Sequence, residues 1–356
     1  MLKAVGLRAV MAVAVLVAMA CGGTATTSTA DVGKGSLTGA GATFPEPFYS
    51  RAFYMYNQTY PQVKINYQAV GSGAGIQQFT KGTVDFGASD VPMQSADIAA
   101  AGGESALVQV PSTLGVVAIA YNLPSVSKLQ LDGPALAGIF LGQVKRWNDP
   151  ALVALNPDAN LPSTSITVVH RSDGSGTTYH FTDYLGKVSS DWKSTVGIAK
   201  SVQRPAGIGG KGNDGVAQTV KQTAGAIGYV ELAYVVQTGM QRAFLKNKNG
   251  KFVEASVAGA TAAASQNKNV TPTNFSITDE PGDTSYPIAG FSWLIVRTSI
   301  SDAEKAKALV FLIRWLVTDG QQYGSELQYA PLPSGAQSLA LSNLKQVTTG
   351  GAPILT

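Results

Sequence analysis

The chain has 356 residues, 26 basic and 22 acidic side chains, 39 glycines and a 45% hydrophobic content. This is the composition of a loop-rich globular protein of about two domains, and it excludes disordered and fibrous classes. The net charge of +4 comes without any basic run, which excludes the electrostatic footprint of a nucleic-acid binder.

Residues 1–20 have the layout of a signal peptide. Lys3 and Arg8 flank or precede the apolar run "AVMAVAVLVAMA", which is too short to span a membrane. "AMAC" supports two cleavage readings. Ala18-Met19-Ala20 fits the small-x-small site of ordinary signal peptidase. Ala20-Cys21 resembles a bacterial lipobox, although Ala18 stands where leucine is usual. Cys21 is the only cysteine, so no intramolecular disulfide forms. A free exposed thiol is out of place in an oxidising compartment, so the expectation is a lipoprotein anchored through an acylated Cys21. Residues 21–35, rich in glycine and threonine, are then a flexible tether.

In "SLTGAGATFPEPFYSRAFYMY", an extended stretch turns at Thr43-Phe44 into a helix whose Phe48, Ala52, Phe53 and Tyr56 share one face. In "VKINYQAVGSGAGIQQFTKG", Val63, Ile65, Tyr67 and Ala69 alternate with Lys64, Asn66 and Gln68, the period of a half-buried strand. Ser72 opens the turn into the next helix. Strands are expected at "TVDFGAS", which leads to Asp90, and separately at "ALVQVP" and "GVVAIAYN". A helix capped by Asp132 follows at "DGPALAGIFLGQV". The run ending at His170 turns through "RSDGSGT", residues 171–177, into a third helix. "AIGYV" and "FSWLIVR" read as strands. Lys246–Asp283 is poor in apolar periodicity and reads as mostly loop. Residues 302–319 read as a helix with a Ser301/Glu304 capping box, an apolar face of Leu309, Ile313 and Leu316, and a stop at Gly320. Alternating strands and helices indicate an α/β fold.

The motifs for catalysis are missing. Neither H-E-x-x-H, C-x-x-C nor G-x-S-x-G occurs, and His170 and His180 have no paired nucleophile, so both read as structural or surface histidines. "PAGIGGKGNDG" is not a Walker loop, because Gly212 follows Lys211 where Ser or Thr is required. "GSGAGI" misses the dinucleotide pattern. Both read as tight turns.

Three strand-to-helix turns agree better with an anion site. Helix N-termini offer unpaired N–H groups and partial positive charge. The hydroxyls of Thr43, Ser72, Ser175 and Thr177 are further donors, though each also reads as a plain N-cap. Arg171 supplies a full positive charge, and Asp173 is either its hydrogen-bonded partner or an ordinary turn residue. Asp90 is compatible with an anion only if that anion carries a proton. Hydrogen phosphate does; sulfate at neutral pH does not.

The blocks "SLTGAGATFPEPFY", "VGSGAGIQQFTKGTVDFGASDVPM", "LAGIFLGQVKRWNDPALVALNP", "VVHRSDGSGTTYHFTDYL", "GIGGKGNDGVAQTVKQTAGAIGYVELAYV" and "YAPLP" run in order along the chain. Together they resemble the phosphate-binding protein of the bacterial high-affinity phosphate ABC transporter. The resemblance implies a two-lobed periplasmic-binding-protein fold (type II), each lobe a mixed sheet flanked by helices, with residues 36–111 and 286–356 in lobe one and 112–285 in lobe two. It implies phosphate binding through Thr43, Phe44, Ser72, Asp90, Arg171, Ser175, Gly176 and Thr177, with Asp173 steadying Arg171. The departure is "GSGAG", where the family often has a second serine after Ser72. A monomer outside the cytoplasmic membrane, delivering phosphate to permease and ATPase subunits, is implied as well. Neither enzymatic activity, metal nor cofactor is expected, and the membrane is met only through the lipid anchor. The rival readings are an extracytoplasmic phosphomonoesterase, a surface adhesion or receptor protein, and the same fold tuned to molybdate or sulfate.

Overall fold

The computed structural model describes residues 31–203 and 205–355; the expected signal peptide, most of the tether and Cys21 lie outside them. In chain order the strands are β1 (Gly35–Gly41), β2 (Val63–Ala69), β3 (Phe86–Ser89), β4 (Leu107–Tyr121), β5 (Gln130–Leu131), β6 (Thr167–Arg171), β7 (Ile208–Gly210), β8 (Ala226–Glu231), β9 (Gln241–Arg242), β10 (Phe244–Lys246), β11 (Phe252–Val253) and β12 (Ala289–Arg297). The helices are α1 (Glu46–Thr59), α2 (Ser72–Thr80), α3 (Ser95–Ala100), α4 (Gly133–Phe140), α5 (Pro150–Leu155), α6 (Gly176–Val188), α7 (Ser190–Thr195), α8 (Gly212–Gln222), α9 (Leu232–Thr238), α10 (Val257–Ala264), α11 (Ala303–Val317) and α12 (Ser334–Leu344).

Nine of these strands form one mixed sheet in the order β2-β1-β3-β12-β4-β8-β6-β7, with β9 pairing on β4, while β11, β10 and β5 form a separate three-stranded sheet and Thr348–Thr349 pairs with Ala352–Pro353 near the end of the chain. Residues expected to make two strands make the single fifteen-residue β4. Its first part pairs with β12, from Leu107 to Val116, and its last part with β8, from Val117 to Tyr121. A change of neighbour along one strand therefore joins the two halves of the sheet. Pro111 lies inside β4, where a central strand has no place for it. The ladder shifts register there: Trp293 faces Pro111 and Ser292 faces Thr113, so Ser112 is an inserted residue. A bulge of this kind accommodates proline because the ladder is already interrupted. The Ser112 hydroxyl is hydrogen-bonded to the Tyr49 hydroxyl at 2.5 Å and donates to the Ser292 carbonyl at 3.0 Å.

Most local expectations hold. Phe48, Ala52, Phe53 and Tyr56 are buried on α1, and β2 alternates as its sequence does from Val63 to Gln68. Asp132 caps α4 by accepting from the Ala135 N–H at 2.9 Å. Three expectations need correction. Asp302, not Ser301, caps α11, accepting from the Lys305 N–H at 3.0 Å, because its carboxylate reaches the first-turn amide from one residue further on. That helix ends at Val317 and gives way to a 3-10 turn over Asp319–Tyr323, so Gly320 is not its stop. The stretch from Lys246 to Asp283 contains α10, an alanine-rich helix capped by Ser256, whose small side chains carry no apolar period. It is held by tertiary packing: a Cβ on Gly259 would lie 2.8 Å from the Cβ of Tyr286.

The core is continuous across the sheet, from Phe48 and Tyr49 through Val116–Tyr121 to Phe181 and Tyr229. Phe181 and Tyr229 stack with ring centroids 4.2 Å apart behind the end of β6. Among the described residues, no helix is long and apolar enough to cross a membrane.

Candidate anion-binding site

The turns after β1, β3 and β6 and the N-termini of α2 and α8 meet in one place. Thr43, Phe44, Ser72, Asp90, Arg171, Ser175, Gly176 and Thr177 are all buried there.

Arg171 ends β6. Its backbone N–H donates to the Tyr229 hydroxyl at 3.1 Å. Its guanidinium is gripped from one side by Asp173, Nε to Oδ1 at 2.8 Å and Nη2 to Oδ2 at 2.5 Å. The remaining edge donates through Nη1 to Thr177 Oγ1 at 3.2 Å. This fork-to-fork pairing fixes the plane of the guanidinium as well as its position. Asp173 also accepts from the Gly212 N–H at 3.1 Å, tying the turn to α8. Partial burial works to raise the Asp173 carboxyl. The hydrogen bonds and charge of Arg171, with the Gly212 amide, outweigh it and hold the carboxyl below its ordinary value. Gly71, at φ +94°, leaves room for this carboxylate: a Cβ there would lie 2.2 Å from Asp173 Oδ2.

Asp90 follows β3 and is 1% exposed. Its Oδ1 accepts a hydrogen bond from the Ser292 hydroxyl. Its Oδ2 lies 3.4 Å from Ser72 Oγ, and its N–H donates to that oxygen at 3.2 Å. The Gly176 N–H donates to the same Ser72 Oγ at 3.1 Å. A Cβ on Gly176 would come within 2.4 Å of Asp90, so only glycine lets α6 begin against this carboxyl. Burial pushes the Asp90 carboxyl up to about 7, with the Asp173 charge adding to the rise, against the pull of Ser292, Arg171 and Ser72. Ser175 caps α6 in the ordinary way, accepting from the Thr178 N–H at 3.1 Å. Phe44 packs its ring near those of Tyr329 and His180, and its carbonyl accepts from the Tyr329 hydroxyl at 2.6 Å.

Asn213, in the first turn of α8, completes the cluster and was not anticipated. Its Nδ2 donates to Thr43 Oγ1 at 2.9 Å and to Thr177 Oγ1 at 3.2 Å, and its backbone N–H donates to Thr43 Oγ1 at 3.2 Å. Its Oδ1 accepts from the Glu231 N–H at 3.0 Å. Behind it, Glu231 is fully buried, and burial pushes its carboxyl well above the carboxylate range. His180 is buried too, and burial pushes it down to about 4, so it is a neutral core residue at physiological pH. No group of three or more His, Cys, Asp or Glu among the described residues is placed to hold a metal ion.

A family model for the PBP superfamily domain matches residues 24–319. The phosphate-binding protein PstS of Xylella fastidiosa (strain 9a5c) is 45% identical over 301 residues, covering 83% of this chain and 81% of its own. PstS of Haemophilus influenzae is 44% identical over 314 residues, covering 87% and 92%. The chain belongs to the PstS family of the PBP superfamily. Its fold is similar to the phosphate-bound structure of PfluDING, a high-affinity periplasmic phosphate-binding protein, with a TM-score of 0.72 at 20% identity, covering 90% of this chain and 96% of that one. The PstS-family architecture here is the two-lobed α/β arrangement of periplasmic binding proteins, and its relatives are binding proteins, not enzymes.

Within this PstS-family chain, the signal that found the site was a hydroxyl or carboxylate placed just after a strand. Asn213 sits in "GGKGNDG", whose glycines point to a turn. The one available clue was an asparagine at the start of a helix, where a side chain is positioned to reach neighbouring turns.

Proposed function

We propose that the protein binds inorganic phosphate outside the cytoplasmic membrane and hands it to an ABC importer. Family membership supports phosphate binding for import, and the geometry supplies a mode of recognition. The observation that carries it is the convergence of turns from remote parts of the chain on one oriented arginine and one buried carboxyl. Arg171 meets the anion's charge. Thr43, Ser72, Ser175 and Thr177 donate through hydroxyls, and the amides of Phe44 and Gly176 donate from the main chain. Asp173 holds Arg171 flat.

Asp90 is the selector. As a carboxylate it accepts a hydrogen bond from a protonated phosphate oxygen, whereas sulfate presents acceptor to acceptor. A site built around such a bond discriminates by ~10⁴–10⁵ against an analogue that lacks the proton. Residues 36–111 with 286–356 form lobe one and residues 112–285 lobe two; ligand contacts from both favour a closed state that a permease recognises. Extracytoplasmic location fits the leader-like residues 1–20, with Cys21 as the lipid attachment.

Titration calorimetry with phosphate and sulfate tests the reading. The native protein is expected to bind phosphate and reject sulfate. Asp90→Asn is expected to keep phosphate binding while gaining sulfate binding by 100-fold or more, roughly two decades of the discrimination above. An unchanged preference in that variant would remove Asp90 from the selecting role. Mass spectrometry of the mature N-terminus tests acylation of Cys21.

A further inference from the structure

We infer that Asn213 is a positioning residue that sets the polarity of the phosphate site, making the Thr43 and Thr177 hydroxyls obligate donors. The inference rests on the phosphate-binding reading above. A threonine hydroxyl has one proton to donate and two lone pairs to accept with, so by itself it serves either an anion or a cation. Thr43 Oγ1 accepts twice, from the N–H and from Nδ2 of Asn213, at 3.2 and 2.9 Å. Thr177 Oγ1 also accepts twice, from Arg171 Nη1 and Asn213 Nδ2, each at 3.2 Å. With both lone pairs engaged, the O–H is the hydrogen-bonding function each hydroxyl has left. A hydroxyl in that state donates to an anion and has nothing to offer a donor.

The orientation of the Asn213 amide is fixed by its surroundings. The Glu231 N–H can only donate, and it lies 3.0 Å from the side-chain oxygen, so the amide nitrogen faces the threonines. Asn213 itself is fully buried. Ser72 reaches the same donor state by another route, because the two groups that donate to it are main-chain amides, those of Asp90 and Gly176. Thr43 and Thr177 come from different proposed lobes, and one side chain polarises both. A single substitution at Asn213 therefore reverses the bias of two hydroxyls, while at Ser72 no substitution elsewhere has that effect.

The decisive comparison is Asn213→Asp, which keeps the shape and the acceptor for Glu231 while replacing the donating nitrogen with an accepting oxygen. Phosphate titration calorimetry on the full chain is expected to show native binding and at least a 100-fold loss in this variant, as the threonine protons turn toward the new carboxylate. Asn213→Ala is expected to lose about 10-fold, since the hydroxyls become ambivalent but are not captured. In a Thr43→Val/Thr177→Val background, adding Asn213→Ala is expected to cost no more than about 2-fold, because the groups it acts through are gone. Losses that multiply fully in that background would mark a merely structural role and overturn the inference. So would Asn213→Asp binding phosphate within about 3-fold of the native protein. Failure of the native protein to bind phosphate would overturn the functional reading itself and this inference with it. Should Asn213→Ala not fold, the isosteric Asn213→Asp carries the test alone, with melting in the absence of phosphate as its folding control.

Discussion

At the end of β6, Asp173 keeps its charge; at the end of β3, Asp90 is pressed to give its charge up. Both follow a strand and both feel the charge of the same arginine, yet their surroundings differ. Asp173 has a side chain 15% exposed and receives two bonds from Arg171 and one from a main-chain amide. Asp90 is sealed in, with hydroxyls for neighbours and the Arg171 charge acting at longer range. The difference shows how one residue type provides an orienting ion in one turn and a proton-sensitive acceptor in another. What decides it is whether a cation closes directly on the carboxylate.

The strongest way to break the comparison is Arg171→Met. It removes the ion that Asp173 holds and the charge that restrains Asp90. Phosphate binding is expected to fall by 10³-fold or more, and stability by about 3–5 kcal/mol, because Asp173 is left unpaired in a partly buried turn. Calorimetry and chemical denaturation measure the two losses.

The pH dependence of the phosphate-free protein comes next. The ordinary Asp90 value of 3.8 rises to about 7 in the fold, so the fold favours the neutral form. The resulting stability is fully present below about pH 3.8 and is lost as pH rises through about 7, by up to about 4 kcal/mol. The melting temperature is therefore expected to decline between about pH 4 and pH 7 and to level off above that, and Asp90→Asn to flatten this decline. A native profile as flat as the variant's would show that Asp90 does not titrate there.

Asp173→Asn sharpens the contrast. The amide still accepts one bond from Arg171 but no longer carries charge, and a stability loss of about 1–3 kcal/mol is expected. The preference for phosphate over sulfate is expected to stay unchanged. Relaxed sulfate rejection in this variant would erase the division of labour. The smallest effect is that of Ser292→Ala, which removes the donor to Asp90 Oδ1. That bond favours the charged carboxyl, so the midpoint of the pH-dependent melting shifts upward, with phosphate affinity changed by less than about tenfold.

The sequence made the three hydroxyl-bearing turns legible because each sits between an apolar run and a helix, a pattern that local chemistry alone produces. The pairing of Arg171 with Asp173 is one of the two roles the sequence allows Asp173, for the same reason: two residues of separation already bring the groups within reach. Other features were not legible because they depend on partners far along the chain. The runs "ALVQVP" and "GVVAIAYN" read as two strands, and only the pairing with β12 explains one bulged strand. Helix α10 has alanines and glycine in place of an apolar stripe, so the packing that supports it, Tyr286 against Gly259, is tertiary. Asn213 acts on threonines 170 and 36 residues away, a relation with no local signature.

The approach of Gly73 to Gly174 has a practical consequence. The Gly73 N–H donates to the Gly174 carbonyl at 2.9 Å, main chain to main chain, between α2 and the loop leading into α6. No side chain is interposed, and in the proposed division these glycines belong to opposite lobes. On that proposal the Gly73 amide proton is expected to serve as a clock for separation of the two lobes, its exchange with deuterated solvent rising with opening, without any label being introduced.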